Sequence, residues 1–87
     1  MQTIETRKFQ KKLAKLPAQD QLDLVDALDD LETANTFADI QHIKAMQGYK
    51  NYFRLRVGNW RVGLFWNGTA FIIEDVGKRG DFYNHFP

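Results

Sequence analysis

Residues 52–76 have the sequence YFRLRVGNWRVGLFWNGTAFIIEDV, and this stretch decides the fold class. Its side chains alternate between two kinds along much of its length, which is the pattern of β-strands. Gly58-Asn59 and Asn67-Gly68 interrupt the alternation, and both dipeptides are typical of tight hairpin turns. The stretch therefore predicts an antiparallel meander of three strands, at residues 52–57, 60–66 and 69–76.

The two-residue turn at Gly58-Asn59 also sets the register of the first hairpin. It places Arg56 opposite Arg61, on the face of the sheet that also carries Arg54. The other face then carries only apolar side chains: Phe53, Leu55, Val57, Trp60, Val62, Leu64 and Trp66. We expect helices to cover this apolar face and the arginine face, defined by the three arginines, to remain open.

The third strand fits this register less well. It places Glu74 opposite Arg61 in an ordinary cross-strand ion pair, but it also puts Asp75 on the apolar face. A β-bulge near residues 74–76 would remove the conflict. Directly opposed arginines repel each other by tenths of a kcal/mol up to about 1 kcal/mol, so fold stability alone does not account for Arg56 and Arg61.

The N-terminal part predicts two helices. Phe9, Leu13 and Leu16 recur at helical spacing, and Pro17 then breaks or restarts the chain. A second helix begins near Ala18, with the apolar stripe Leu22, Val25, Leu28 and Leu31. It also carries acidic residues that we interpret as a solvated surface, with a contact for a basic partner as the alternative: Asp20, Asp23, Asp26, Asp29 and Asp30.

Two further segments complete the predicted architecture. Residues 1–5 favour a short strand, whereas residues 33–48 carry conflicting helix and loop signals and are assigned no regular structure. The chain is therefore predicted to be a single α+β domain over residues 1–87. In this domain an N-terminal helical hairpin packs on a small antiparallel sheet.

The composition excludes several classes of protein and site. The chain has no cysteine, which rules out disulfides, thiolate metal sites and cysteine nucleophiles. It has no stretch of about 18 apolar residues and no apolar signal segment, so we expect a cytoplasmic protein without a membrane partner. His42 and His85 are too few and too far apart in sequence to predict a metal site.

Charge is distributed unevenly along the chain. Residues 1–43 carry five Lys and Arg against eight Asp and Glu, a net −3, whereas residues 44–87 carry seven against three, a net +4.

Lys78, Arg79 and Tyr83 follow the third strand, and a turn at Gly80 would bring them to the arginine face. Guanidinium groups bind phosphate oxygens in pairs, and aromatic rings stack on unpaired bases. The basic half therefore favours a site for nucleic-acid phosphates, with Lys78 among the substrate-binding residues; a merely solvated basic sheet is the alternative.

Three segments of the sequence resemble the RelE/ParE superfamily of bacterial toxin-antitoxin toxins, and in particular its RelE-like ribonuclease branch. They are FQKKLAKLP at 9–17, YFRLRVGNWRVGLF at 52–65 and VGKRGDFY at 76–83. The resemblance implies an endoribonuclease that uses no metal or other cofactor. Such an enzyme enters the ribosomal A site, cuts mRNA there and is held inactive by a cognate antitoxin. The 2′-hydroxyl of one nucleotide attacks the adjacent phosphorus, leaving a cyclic phosphate and a 5′-hydroxyl.

The resemblance also assigns roles to particular residues. Arg54 and Arg56 match strand positions that are basic in the family, as substrate-binding and catalytic residues respectively. Arg61 matches the arginine after the hairpin turn, which would stabilise the charged phosphorane. Arg79 would hold phosphate or assist protonation of the leaving group. Tyr83 would stack on a base and orient the nucleotide.

The general base is left open by this match. Relatives use a lysine of lowered pKa where this chain has Arg54 and Arg56, and a guanidinium does not accept a proton. The candidates are Glu74, Tyr83 and His85, of which His85 has a side-chain type with a suitable intrinsic pKa, about 6.5, but lies close to the end of the chain, where fraying is expected.

Two other functions are compatible with the same resemblance. A toxin of the ParE branch poisons DNA gyrase without cutting RNA. A toxin-like fold that has lost its activity would serve only as a binding partner of an antitoxin. Gyrase-dependent DNA damage with intact mRNA would identify the first, and the absence of growth arrest on expression would identify the second.

Overall fold

The computed structural model describes all 87 residues. Its helical elements are α1 (Arg7–Ala14), α2 (Ala18–Thr33), α3 (Arg79–Phe82) and a 3₁₀ turn at Phe37–Asp39. Its strands are β1 (Gln2–Glu5), β2 (Ile43–Ala45), β3 (Tyr52–Val57), β4 (Trp60–Trp66) and β5 (Ala70–Lys78). The strands form one sheet in the order β1-β5-β4-β3-β2. None of the helices has the length and apolar character needed to cross a membrane.

The central meander confirms the predicted hairpins. β3 and β4 pair antiparallel with Val57 opposite Trp60 and Arg56 opposite Arg61, as the two-residue turn requires. Gly58 adopts a φ of 58°, the left-handed conformation that such a turn demands and glycine permits. The register of the arginines is thus fixed by the local chemistry of the turn.

Two strands flank the meander and change the predicted sheet. β1 confirms the short N-terminal strand, but it pairs parallel with β5, so the sheet is mixed rather than purely antiparallel. β2 pairs antiparallel with β3 inside the segment that was predicted to be irregular. It is only three residues long, which is too short for alternation to distinguish it from a loop.

The pairing of β5 with β4 contains the predicted bulge. The register shifts between Gly63 and Leu64, so that Ile73 and Asp75 pair with consecutive β4 residues and Glu74 is the extra residue. The predicted pairing of Glu74 with Arg61 is therefore wrong, and Gly77 lies opposite Arg61 instead.

The second acidic residue of the bulge, Asp75, joins α1 to the sheet. Asp75 is 1% exposed. Its carboxylate accepts a hydrogen bond of 2.7 Å from Lys12 Nζ and lies 3.4 Å from Lys8 Nζ. A buried carboxylate is destabilising unless it is paired with a cation. Lys8 and Lys12 of α1 therefore have a structural role as the partners of Asp75.

Helices α1 and α2 cover one face of the sheet and form the core with it. Its buried members are Phe9, Leu24, Leu28, Leu31, Leu55, Val62, Leu64, Phe71, Ile73 and Val76. The predicted stripe of α2 is correct for Leu28 and Leu31 but wrong for Leu22 and Val25, which are 59% and 42% exposed. A step of three residues falls about 60° short of a full helical turn, so a spacing of three drifts off the buried side. The buried stripe begins at Leu24 instead.

The outer face of the sheet, opposite α1 and α2, is half covered by the C-terminal tail, which comprises α3 and residues 83–87. Phe82 and Phe86 are buried in this cover. A Cβ at Gly77 would lie 3.4 Å from the Cα of Phe82, and one at Gly63 would lie 2.6 Å from the Phe86 ring. The tail thus packs where β4 and β5 lack side chains. The arginine face was predicted to be open. This prediction is wrong over β4 and β5, which the tail covers, and correct only toward β3.

Candidate active site on the outer face

Four cationic residues lie on neighbouring positions of the outer face, three of them at least partly exposed and one buried. Strand alternation sends Arg54 and Arg56 to the side opposite the buried Leu55, and Arg61 is the cross-strand partner of Arg56. Lys44 of β2 is the cross-strand partner of Arg54, so it lies on the same face. We call Lys44, Arg54, Arg56 and Arg61 the basic cluster.

Arg61 is held at the β3–β4 turn. Its Nη1 donates hydrogen bonds of 2.9 Å to the carbonyl oxygens of Gly58 and Trp60, and the residue is 8% exposed. Its Nε and Nη2 have no protein partner, yet no side-chain nitrogen in the structure is both fully buried and unpaired. These two nitrogens therefore reach the surface, where a fixed guanidinium can donate to a phosphate oxygen.

Arg54 and Arg56 converge on a single residue, His42, which immediately precedes β2. The carbonyl oxygen of His42 accepts from Arg54 Nη1 at 3.2 Å and from the backbone N–H of Arg56 at 3.0 Å. The Nη2 atom of Arg56 also lies 3.0 Å from His42 Nδ1. His42 adopts a φ of 63°, an uncommon conformation outside glycine.

Lys78 lies apart from the basic cluster. Strand β5 continues two residues beyond its predicted end, so Lys78 pairs with Trp60 on the side of the sheet that faces the helices. Its Nζ lies 5.7 Å from the centre of the Trp60 ring. The predicted convergence of Lys78 with the arginines is therefore wrong.

Arg79 reaches the β3–β4 turn from the other direction. Its backbone N–H donates a 2.9 Å hydrogen bond to Asn59, so Arg61 and Arg79 bind consecutive carbonyl groups of one turn. With Lys78, Arg79 lines a cavity of about 690 Å³ that also contains Asp20 and Asp23 of α2. The backbone of Arg79 thus contacts the turn that holds Arg61, while the residue lines a cavity beside α2 rather than the basic cluster.

Tyr83 and His85 lie in the tail. Tyr83 is half exposed, and its ring centroid is 5.2 Å from that of Phe82 in an edge-on arrangement. This leaves the Tyr83 ring accessible for stacking. His85 is exposed, and its Nε2 lies 3.6 Å from Asp81 Oδ1. Neither hydrogen bonds nor ion pairs connect His85 with an arginine of the cluster.

Glu74 lies on β5, with β4 between it and Arg54 and Arg56. Burial raises the pKa of Glu74 above its usual value; Lys8 of α1 acts in the opposite direction and the neighbouring Asp75 carboxylate adds to the increase. A raised pKa suits a proton acceptor, but two strand spacings amount to about 9 to 10 Å. The structure does not bring Glu74 together with those two arginines.

The sequence-based prediction missed Lys44 and His42. Both lie in residues 33–48, where conflicting signals concealed β2. The available signal was the short alternation of Ile43, Lys44 and Ala45, with Lys44 as its polar member. No group of three or more His, Asp or Glu side chains in the structure is arranged to hold a metal ion.

The sequence and structure are similar to those of known toxins. No protein-family model matches the sequence. The chain is 32% identical to Toxin RelE3 of Methanocaldococcus jannaschii over the full length of both proteins. A chain of the RelB-RelE antitoxin-toxin complex from Methanococcus jannaschii has a TM-score of 0.79 and 30% identity, with 97% of this chain and 99% of that chain covered. The isolated E. coli RelE toxin shares the fold, with a TM-score of 0.67 at 17% identity, over 95% of this chain and 90% of that chain.

Proposed function

Because the chain belongs to the RelE family of toxins, we propose that it is a ribosome-dependent endoribonuclease that cuts mRNA and so inhibits translation. The observation that carries this proposal is the basic cluster. Four cations lie on three adjacent strands of the outer face; Lys44 and Arg56 are exposed and Arg54 is half-buried, whereas Arg61 is buried beside the β3–β4 turn. A row of fixed guanidinium groups is suited to consecutive phosphates of one RNA strand.

In the proposed reaction the 2′-hydroxyl of one nucleotide attacks the adjacent phosphorus. The phosphorane that forms carries more negative charge than the starting diester, so cations positioned beforehand stabilise it selectively. Arg61 is suited to this role because two carbonyl groups of the turn hold its Nη1 in place. Arg54 and Arg56 hold the phosphates on either side. The mechanism requires no metal or cofactor.

The tail supplies the remaining proposed contacts with RNA. The accessible ring of Tyr83 stacks on a base, a contact of about 1 to 3 kcal/mol in single-stranded nucleic-acid complexes. Arg79 holds a neighbouring phosphate from the far side of the β3–β4 turn. Lys78 is left out of the proposed site because its ammonium group lies over Trp60.

We further propose that a cognate antitoxin binds this chain and keeps it inactive. Support comes from a relative of 30% identity that was crystallised as a RelB-RelE antitoxin-toxin complex. Translating ribosomes and their mRNA are the other proposed partners. An antitoxin encoded beside this chain should bind it in a co-purification experiment and suppress growth arrest when both are expressed.

The proposal is tested by adding the purified chain to translating ribosomes with an end-labelled mRNA and mapping the cuts by primer extension. We expect wild-type cleavage only on ribosomes. Arg61→Ala should reduce the rate by about 10²- to 10³-fold, the usual effect of removing one preorganised donor. Lys78→Ala is the matched control, because it removes a nearby cation outside the cluster, and it should cleave like the wild type.

Two further measurements make the outcome interpretable. Arg61→Lys keeps the charge but loses the planar fork, and a urea denaturation curve for each variant separates lost chemistry from lost folding. Equal losses in Arg61→Ala and Lys78→Ala would contradict a localised site. Intact mRNA together with gyrase-dependent DNA damage would identify a gyrase inhibitor instead, and the absence of growth arrest would identify an inactive toxin-like protein.

A further inference from the structure

The proposed cleavage needs a group that accepts the proton of the attacking 2′-hydroxyl, and the basic cluster contains none. Guanidinium and ammonium groups donate hydrogen bonds but do not accept them. Glu74 lies two strands away from Arg54 and Arg56, and His85 lies beside the carboxylate of Asp81 in the tail. None of the three predicted candidates, Glu74, Tyr83 and His85, makes a hydrogen bond or ion pair with the basic cluster, so an acceptor in contact with the cluster has to be another residue.

His42 touches the cluster through its ring, and the contact defines the protonation state of one ring nitrogen. The Nη2 atom of Arg56 lies 3.0 Å from His42 Nδ1. Since arginine can only donate, this contact is a hydrogen bond in the tautomer that carries its proton on Nε2 and its lone pair on Nδ1. In that tautomer an unprotonated imidazole nitrogen lies at the edge of the basic cluster.

The backbone of His42 is fixed as firmly as its ring. Its carbonyl oxygen accepts two hydrogen bonds from Arg54 and Arg56, and its φ is 63°. A left-handed residue other than glycine costs of order 1 to 3 kcal/mol, and such residues occur preferentially at functional sites. Two of the three contacts hold the backbone of this exposed residue, and the third, from Arg56, orients its imidazole toward the cluster.

A cavity of about 530 Å³ adjoins the ring at the edge of the sheet; His42 and Arg56 line it together with Leu31 of α2 and Leu55 of β3, so it extends to the helix side of β3. Sites for small ligands commonly span roughly 300 to 1,000 Å³, so the space accommodates part of a nucleotide. The charged groups around the ring are Arg54 and Arg56 of β3, Lys44 of β2, Asp30 of α2 and Asp39 of the 3₁₀ turn. The cations repel an imidazolium and the two carboxylates attract it.

From this geometry, and on the basis of the proposed function, we propose that His42 is the general base of RNA cleavage. A phosphate accepts from a guanidinium more strongly than a neutral imidazole does, so RNA binding draws Arg56 away and frees Nδ1. Nδ1 then takes the proton of the 2′-hydroxyl, and the 2′-oxygen forms a bond to phosphorus. The bond from phosphorus to the 5′-oxygen breaks, and this oxygen keeps the electron pair and takes a proton from water. The imidazolium returns its proton to the resulting hydroxide.

The decisive experiment compares single-turnover cleavage by the wild type, His42→Gln and His85→Gln from about pH 5 to pH 9, the range in which imidazole titrates. Glutamine still accepts from Arg56 but cannot take a proton. We expect His42→Gln to be slower by about 10²- to 10⁴-fold and to lose the rise of rate with pH on the acidic side. His85→Gln should keep both, and affinity for an uncleavable 2′-deoxy substrate should be unchanged in His42→Gln.

A second variant separates chemistry from folding. His42→Gly suits the left-handed backbone, and imidazole added to the solution should restore part of its cleavage. Two outcomes would overturn the assignment of His42 but not the proposed nuclease. One is wild-type-like cleavage by His42→Gln. The other is slower cleavage by His42→Gln with an unchanged pH profile, together with no rescue of His42→Gly by imidazole. A wild-type chain that leaves mRNA intact would instead overturn the proposed nuclease, and this assignment with it.

Discussion

The two faces of the sheet are covered by different means, although both arise from the same strands. On the inner face α1 and α2 bury large aliphatic and aromatic side chains, including Leu55, Val62 and Leu64. On the outer face only nine residues of tail provide cover, and they pack where Gly63 and Gly77 have no side chains. The inner face is continuous, whereas the outer face is divided between the tail and the basic cluster.

The difference shows how a chain of 87 residues combines a stable core with a charged surface. Alternation along β3 and β4 sends apolar residues inward and arginines outward at the same time. The glycines of β4 and β5 make room for the tail, because a bulky side chain there would prevent its approach, and the Phe86 ring reaches only Tyr52 at the start of β3. The arginines of β3 consequently remain accessible even though the same face carries buried Phe82 and Phe86.

The largest effect on stability is expected for Phe82→Ala, which tests whether the tail is as firmly packed as the inner face. Phe82 is 1% exposed, and Phe→Ala changes in cores cost about 3 to 5 kcal/mol. Leu24→Ala provides the reference on the inner face, at about 2 to 5 kcal/mol. Urea denaturation followed by tryptophan fluorescence measures both. A Phe82→Ala midpoint equal to that of the wild type would show that the tail contributes no stability.

A smaller effect is expected for Gly63→Ala, which places a methyl group in the space that the tail occupies. The added Cβ would lie 2.6 to 2.7 Å from atoms of the Phe86 ring, so the ring must move. Overpacking of this kind costs about 1 to 3 kcal/mol. Gly80→Ala is the matched control, since a Cβ there meets no atom within 4 Å. Equal unfolding midpoints for the two variants would contradict the assigned packing of Phe86.

The smallest effect on stability is expected for Glu74→Gln, at the β-bulge of β5. Burial raises the pKa of Glu74, so the folded state binds a proton more tightly than the unfolded state. Stability is therefore lost as the pH rises from the usual carboxyl pKa through the raised one, and the loss persists above it. Glu74→Gln should remove this loss and be slightly more stable than the wild type at pH 7, with the difference disappearing in acid. Urea midpoints measured across this pH range test the assignment. A Glu74→Gln variant that is equally destabilised at every pH would contradict it.

The fold was predictable wherever a local rule dictates structure. The Gly58-Asn59 turn alone determines the pairing of Arg56 with Arg61. The misfit of Asp75 likewise indicated a bulge, which the structure places at Glu74. In both places neighbours in sequence determine the geometry, so no information about distant residues is required.

The site was predictable only in part, because its remaining members depend on contacts between distant segments. His42 and Lys44 join Arg54 and Arg56 only because β2 pairs with β3. The burial of Phe86 depends on the missing side chain of Gly63, in a strand that does not adjoin the tail in sequence. Lys78 was misplaced because β5 continues two residues beyond its predicted end, so Lys78 follows the alternation of the strand to the helix side instead of turning toward the arginines.

The parallel pairing of β1 with β5 has a consequence for the order in which the chain folds. Gln2 pairs with Ala70, so the first strand to be synthesised waits for the last strand before it can join the sheet. The meander closes through short turns, whereas the closure of so long a loop is entropically costly and slows folding. The tail packs on the same late strand. A nascent chain therefore completes its edge strand and its outer cover only after nearly all of its residues have been made.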